Sequence, residues 1–296
     1  MKWVSLLMVP PAMESCVHNS VAAFALLLIL TATPVTPSAQ AADLAIIDAH
    51  IHYSHDAWSL VPPKDAIAIL RKAGLKRAMV SSSNDDGTQM LLAEAPDLIV
   101  PVLRPYRNRS DVGSWVRDES VIGHLEQRLK KYRYVGIGEF HASGADIELP
   151  VMRRVIELAR EHRILLHAHS DADAIERIFR HDPEARVLWA HSGFDRPERV
   201  REMLRRFPLL WSDLAFRTDQ ASAGKVSADW RAAFEEFPNR FMVGTDTFTP
   251  ERWHFIVEHA KFSRGWLADL PTDLAEKIAY RNADALIEAV LKDRKP

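Results

Sequence analysis

The chain has 296 residues, 47% of them hydrophobic and 26% charged, and its 38 basic and 40 acidic residues give a net charge of −2. That size and apolar share suffice for one large core, and the near-neutral balance argues against a general nucleic-acid or membrane binder. The only cysteine, Cys16, falls in a segment read below as a leader, so the rest has no disulfide staples and no thiolate metal ligands.

In chain order, the first element is residues 21–33, VAAFALLLILTAT, an apolar block too short to span a bilayer comfortably. A Pro/Ser/Ala segment follows, and Ala39, Gln40 and Ala41 make an A-x-A pattern. Residues 1–41 are therefore read as a secretory signal peptide, cleaved after Ala41. The expected product, residues 42–296, is periplasmic or secreted, with no stable membrane insertion after cleavage. Strand-like apolar runs then recur near 44–49, 76–81, 98–103, 134–139, 163–168, 186–191, 208–214 and 240–245. Helical patterns separate them, such as PVMRRVIELAREH (150–162) and RPERVREMLRRF (196–207). In the second, Val200, Met203, Leu204 and Phe207 make one apolar face. Eight βα units in about 250 residues have the size and rhythm of a (β/α)8 TIM barrel, a single α/β domain. A doubly wound open sheet competes, but no glycine-rich phosphate loop follows the first strand.

Barrel chemistry sits at the C-terminal ends of the strands, and ionisable residues cluster there. AIIDAHIH ends the first strand with Asp48, His50 and His52, and residues two apart on a strand point to the same side. Strand four ends in Glu139, with His141 two residues on; strand five ends in His167 and His169. Strand six ends in His191 and strand eight in Asp246. Asp48, Glu139, His167, His191 and Asp246 are each the first ionisable group after an apolar run, and buried carboxylates need a charge partner or a metal. Singly, each has a dull explanation, as a helix cap, an ion pair or a satisfied core histidine. Together they point to a divalent metal site.

The order HxH, Glu, His, His, Asp over these strands resembles the amidohydrolase superfamily of metal-dependent hydrolases, from Asp48 in DAHIH to RNADALI in the last helix. The resemblance implies a (β/α)8 barrel with one or two divalent ions, most often zinc. It implies His50 and His52 on the more buried ion, and His191 with a strand-five histidine on the second. His167 is slightly preferred over His169 for that place, because it follows the apolar run directly. Glu139 stands where many members have a carbamylated lysine bridging two ions, which looks more like the TatD-like branches. Asp246 would match the strand-eight aspartate.

Imidazole and carboxylate ligands suit Zn2+, Mn2+ or Fe2+. Such an ion brings the pKa of bound water toward about 7, and Asp246 is placed to take its proton. The expected reaction is hydrolysis of a small amide, ester or lactone by a metal-bound hydroxide. The alternatives on the same barrel are a decarboxylase and a TatD-like nuclease or phosphoesterase. Arg104 and Tyr106 in RPYRNR (104–109) and Arg217 after strand seven are candidate contacts for a substrate carboxylate or phosphate. Asp213 is a candidate partner behind a ligand histidine. A small-molecule substrate and no nucleic-acid partner are expected; homo-oligomerisation is left open.

Overall fold

The computed structural model describes residues 44–294. The segment read as a signal peptide, residues 1–41, lies outside them. Eight parallel strands follow one another in sequence order: β1 Ile46–Ile51, β2 Leu75–Val80, β3 Ile99–Leu103, β4 Gly136–His141, β5 Leu165–His169, β6 Val187–Trp189, β7 Leu210–Asp213 and β8 Phe241–Met242. β8 is short, but the chain beyond it is tied back to β1. Ala49 N donates to Val243 O (2.9 Å), Asp246 N to His50 O (2.8 Å) and His52 N to Thr247 O (2.9 Å). The sheet thus comes round on itself as a (β/α)8 barrel, and all eight expected strands are present.

The strands are near-continuous apolar runs because both faces are covered, by packed side chains within the barrel and by helices outside. β1 is buried along its whole length. The helices α1 Pro63–Lys72, α2 Asp86–Glu94, α3 Ser120–Lys131, α4 Pro150–His162, α5 Ala172–His181, α6 Pro197–Arg206, α7 Ala228–Glu236, α8 Ile256–Leu267 and α9 Asn282–Asp293 alternate with the strands or follow the last one. Three of them begin with proline, whose missing N–H costs nothing at that position. α5 is capped by Asp171, which accepts from Ala174 N at 2.8 Å. Val200, Met203 and Leu204 of α6 are buried as their spacing requires, and Phe207 stacks on Phe179 of α5 at 4.5 Å. No described helix is long and apolar enough to cross a membrane.

β4 carries one glycine that the packing demands. Gly138 has φ +137°, and a Cβ there would meet His167 O of β5 at 2.1 Å. This close approach brings the end of β4, with Glu139, against the end of β5.

Candidate metal centre

On β1 the alternation aims Asp48, His50 and His52 inward, in successive layers toward the C-terminal mouth. All three are at most 1% exposed. Asp48 Oδ1 accepts from His50 N (3.0 Å) and Thr245 N (3.1 Å), joining β1 to the segment after β8, and burial pushes its carboxyl up to about 6.

Above it four side chains converge. His50 Nε2 lies 3.1 Å from His52 Nε2, 3.4 Å from Glu139 Oε1 and 3.6 Å from Asp246 Oδ1. His52 Nε2 is 3.2 Å from both Glu139 Oε2 and Asp246 Oδ1. The other ring nitrogens are already committed. His50 Nδ1 faces Asp213 Oδ2 at 3.2 Å, and His52 Nδ1 faces the carbonyl of Ser81 at 2.7 Å. Both partners are acceptors, so in the neutral rings each Nδ1 carries the hydrogen and each Nε2 presents a lone pair. Two lone pairs and two carboxylates thus point at one buried volume, which requires positive charge there.

The geometry fits an ion. Ligand atoms about 2.1 Å from one tetrahedral zinc stand roughly 3.4 Å apart, and the five separations here run from 3.1 to 3.6 Å. The same demand governs protons. Burial opposes charge on His50, but Glu139, Asp213 and Asp246 overcome it and hold the imidazole well above its ordinary range. Burial likewise opposes charge on Glu139, yet His50, His169 and His191 hold its carboxyl well below the usual carboxylate range.

Glu139 also faces a second group. His169 Nδ1 is 2.8 Å and His191 Nε2 3.4 Å from Glu139 Oε1. His191 Nδ1 donates to Ala215 O at 2.9 Å, which leaves its buried Nε2 without a hydrogen-bond partner and free to ligate. A cavity of about 310 Å³ opens over Glu139, His169 and Asp246, with Ser54, Ser83 and Arg104 also in its lining.

The amidohydrolase family model matches residues 47–288. The chain belongs to the amidohydrolase family. Solved structures of similar fold include the uncharacterised TIM-barrel protein Bb4693 of Bordetella bronchiseptica (14% identity, TM-score 0.58, 83% of this chain and 99% of that one). A probable 2-pyrone-4,6-dicarboxylic acid hydrolase of Acinetobacter baumannii, with citric acid bound, is similar at 13% identity and TM-score 0.57, over 82% of this chain and 99% of that one. An amidohydrolase of Burkholderia multivorans follows at 15% identity and TM-score 0.50, over 82% and 99% of the two chains. No curated protein matches the chain in sequence.

Within this amidohydrolase barrel, His50, His52, Glu139, His169, His191 and Asp246 come together. The preferred strand-five residue, His167, stands instead in a neighbouring group with His50 and Asp213. Its Nε2 turns to Asp213 Oδ2 at 3.0 Å, one layer deeper, while His169, opposite His141 in register, reaches Glu139. Asp213 is the common support. Its Oδ2 faces both His50 and His167, and its Oδ1 accepts from His191 N (2.9 Å) and Ala215 N (3.0 Å).

The expected substrate contacts divide. Arg104 lines the cavity, but its guanidinium is spent on Glu139, from Nη2 to Oε2 (2.7 Å) and from Nε to the carbonyl (3.2 Å). Tyr106 does not line the cavity: it is fully buried, and its hydroxyl lies 2.7 Å from both His141 N and His141 Nδ1. Arg217 does not line it either; it pairs with Asp219, donates to His191 O and lies over Trp230. His141, placed on the cavity wall by Tyr106, is a site residue to which the sequence assigned no role.

Buried His167 has its pKa lowered to about 4, first by desolvation and then by the nearby His50. A histidine depressed in the fold stays neutral while the unfolded chain takes up protons, so stability falls as pH drops from about 6.5 toward 4. The shift is worth about 3 kcal/mol at most. Metal-free protein should therefore melt several degrees lower at pH 4.5 than at pH 6.5. His167→Gln, which keeps a donor for Asp213, should show a shallower fall; an unchanged slope in calorimetry would remove His167 as the cause.

Proposed function

We propose that this amidohydrolase is a metal-dependent hydrolase of a small ester, amide or lactone. The observation that carries the reading is the pair of Nε2 atoms of His50 and His52, turned toward Glu139 and Asp246 by the partners that Asp213 and Ser81 give their Nδ1 atoms. His50, His52, Glu139 and Asp246 would hold one divalent ion, and His169 and His191 with Glu139 would complete a second position. A divalent ion there supplies Lewis acidity and a nucleophile at neutral pH.

The chain's own residues do the rest. Asp246 Oδ1 faces the histidines, while Oδ2, 3.8 Å from His191 Nε2, is the atom that would take a proton from the attacking water and return it to the leaving group as the scissile bond breaks. Arg104 holds Glu139 in place, and the cavity admits a small molecule. A nucleic-acid substrate is disfavoured by the mouth of the barrel. Arg107 is paired with Asp111 and Asp118, Arg109 with Asp56 and Arg217 with Asp219, so these arginines make no free basic channel.

The test is metal analysis with activity. Purified protein should contain at least one equivalent of zinc, manganese or iron by plasma mass spectrometry. Dialysis against a chelator should abolish turnover on a panel of esters, lactones and amides, and one of these ions should restore it. Full activity in metal-free protein would reject the proposal, and release of carbon dioxide without water uptake would move the assignment to decarboxylation.

A further inference from the structure

We propose that Phe194, Phe216 and Phe248 form an aryl-binding rim beside the metal cluster, selecting substrates with a flat apolar group next to the bond that is cut. The place of that bond rests on the hydrolase reading; the rim itself rests on other observations. These three are 55%, 45% and 38% exposed, and they stand on the loops after β6, β7 and β8, at the mouth of the barrel. A lone exposed phenylalanine is ordinary, but contiguous exposed rings at a polar cavity mark a binding surface.

The rings make a continuous path from the metal ligands. Phe194 lies flat on His191 (centroids 4.6 Å, 13° between planes) and 5.9 Å from His169. Phe216 meets His191 edge-on at 6.2 Å, and Phe248 follows at 5.8 Å from Phe216. Phe248 also lines the cavity with Glu139 and Asp246. Arg252 backs the pair, its guanidinium 4.2 Å from the centre of Phe216 and 5.7 Å from that of Phe248. Its Nε and Nη2 donate to the carbonyls of Asp246 and Thr245, which fixes the guanidinium and with it the rings.

The backbone carries strain to put them there. His191, Ser192, Gly193 and Phe194 all have positive φ (56°, 52°, 64° and 53°), a complete left-handed turn, and Phe216 has φ 58°. Only Gly193 adopts this without steric cost. A side chain cannot replace it either, since a Cβ there would lie 2.1 Å from the ring of Trp189. The turn yields no buried apolar core at Phe194 or Phe216, whose rings remain half in water. The same turn buries His191 and Ser192 and so sets His191 at the cluster, while it leaves the rings of Phe194 and Phe216 exposed beside it. The lining from the loops after β1 to β3 is mostly polar, Ser54, Ser83, Arg104 and Arg109, with Val112 the one apolar side chain. The cavity thus offers polar groups on one side and Phe248 on the other, with Phe216 and Phe194 continuing the apolar surface beyond its edge.

The experiment measures binding, so it needs no turnover. Benzylphosphonate and methylphosphonate are titrated calorimetrically into zinc-loaded protein, wild type and the double variant Phe194→Asn/Phe216→Asn. Asparagine tolerates positive φ, so the variant removes two rings while relieving the backbone, and its melting temperature should be no lower than wild type. We expect benzylphosphonate to bind wild type about tenfold to a hundredfold more tightly than methylphosphonate, and the ratio to fall toward one in the variant. Equal affinities in wild type, no binding of either, or a ratio that survives the substitutions would overturn the rim. A wild-type dimer that the variant dissociates in sedimentation would also overturn it, by making this surface an interface between copies. An aryl preference in a protein that hydrolyses nothing on the panel would leave the rim standing and reject the hydrolase reading.

Discussion

Asp246→Asn should lower turnover by about a hundredfold to ten-thousandfold while the barrel stays folded. The side chain sits at the cavity floor, with Oδ1 3.2 Å from His52 Nε2 and 3.6 Å from His50 Nε2. Burial raises the pKa of its carboxyl, but His50 and His52 outweigh burial and bring it down to about 2, so it is ionised at neutral pH and able to accept a proton. Asparagine keeps the volume, the backbone bond from residue 246 N to His50 O, and tolerance of the local φ of 46°. What it removes is the negative charge and the proton acceptor. Steady-state rates with saturating metal, read beside a thermal melt, separate this from unfolding. A variant that stays active with wild-type kcat would refute the role of Asp246 as base.

Much of this arrangement is readable from the sequence, and the parts that are not have physical reasons. The strands announce themselves because most are buried on both faces, so the apolar run and the first ionisable residue after it mark both the strand and its mouth; β2, with Lys76 exposed at its start, is the exception. The choice between His167 and His169 is not written in that pattern. They share a face, and only the register of β5 against β4, set by the close approach at Gly138, puts His169 rather than His167 beside Glu139. Arg217 and Tyr106 look available in sequence, but Asp219 two residues on and His141 on the next strand consume them. Phe194, Phe216 and Phe248 each follow a strand end closely, at HSGF, LAF and DTF, yet an apolar residue after a polar one reads as core. The left-handed turn that exposes Phe194 runs through three non-glycine residues, against their intrinsic preference, and only Gly193 hints at it.

Asp213 shows how far the site depends on contacts distant in the chain, and its substitutions should separate two of its roles. The carboxylate is fully buried and faces four partners: the backbone N–H groups of His191 and Ala215 on Oδ1, and His50 Nδ1 and His167 Nε2 on Oδ2. Burial opposes its charge, but His50, His167 and His191 hold the carboxyl well below the usual range. Asp213→Ala strands all four partners, which should cost about 3–5 kcal/mol, or roughly 10 °C or more in melting temperature for a domain of this size. Asp213→Asn differs in kind. Its oxygen can keep both backbone N–H groups, while its NH2 turns toward His50 Nδ1. The imidazole must then accept at Nδ1 and carry its hydrogen on Nε2, the atom that faces Glu139 and Asp246. The ligand lone pair is lost without loss of the fold, and metal affinity should fall about 10- to 100-fold, measured by competition with a chromogenic chelator. Unchanged affinity in a folded Asp213→Asn protein would mean that His50 does not ligate through Nε2, and the metal position would have to be rebuilt around Glu139, His169 and His191.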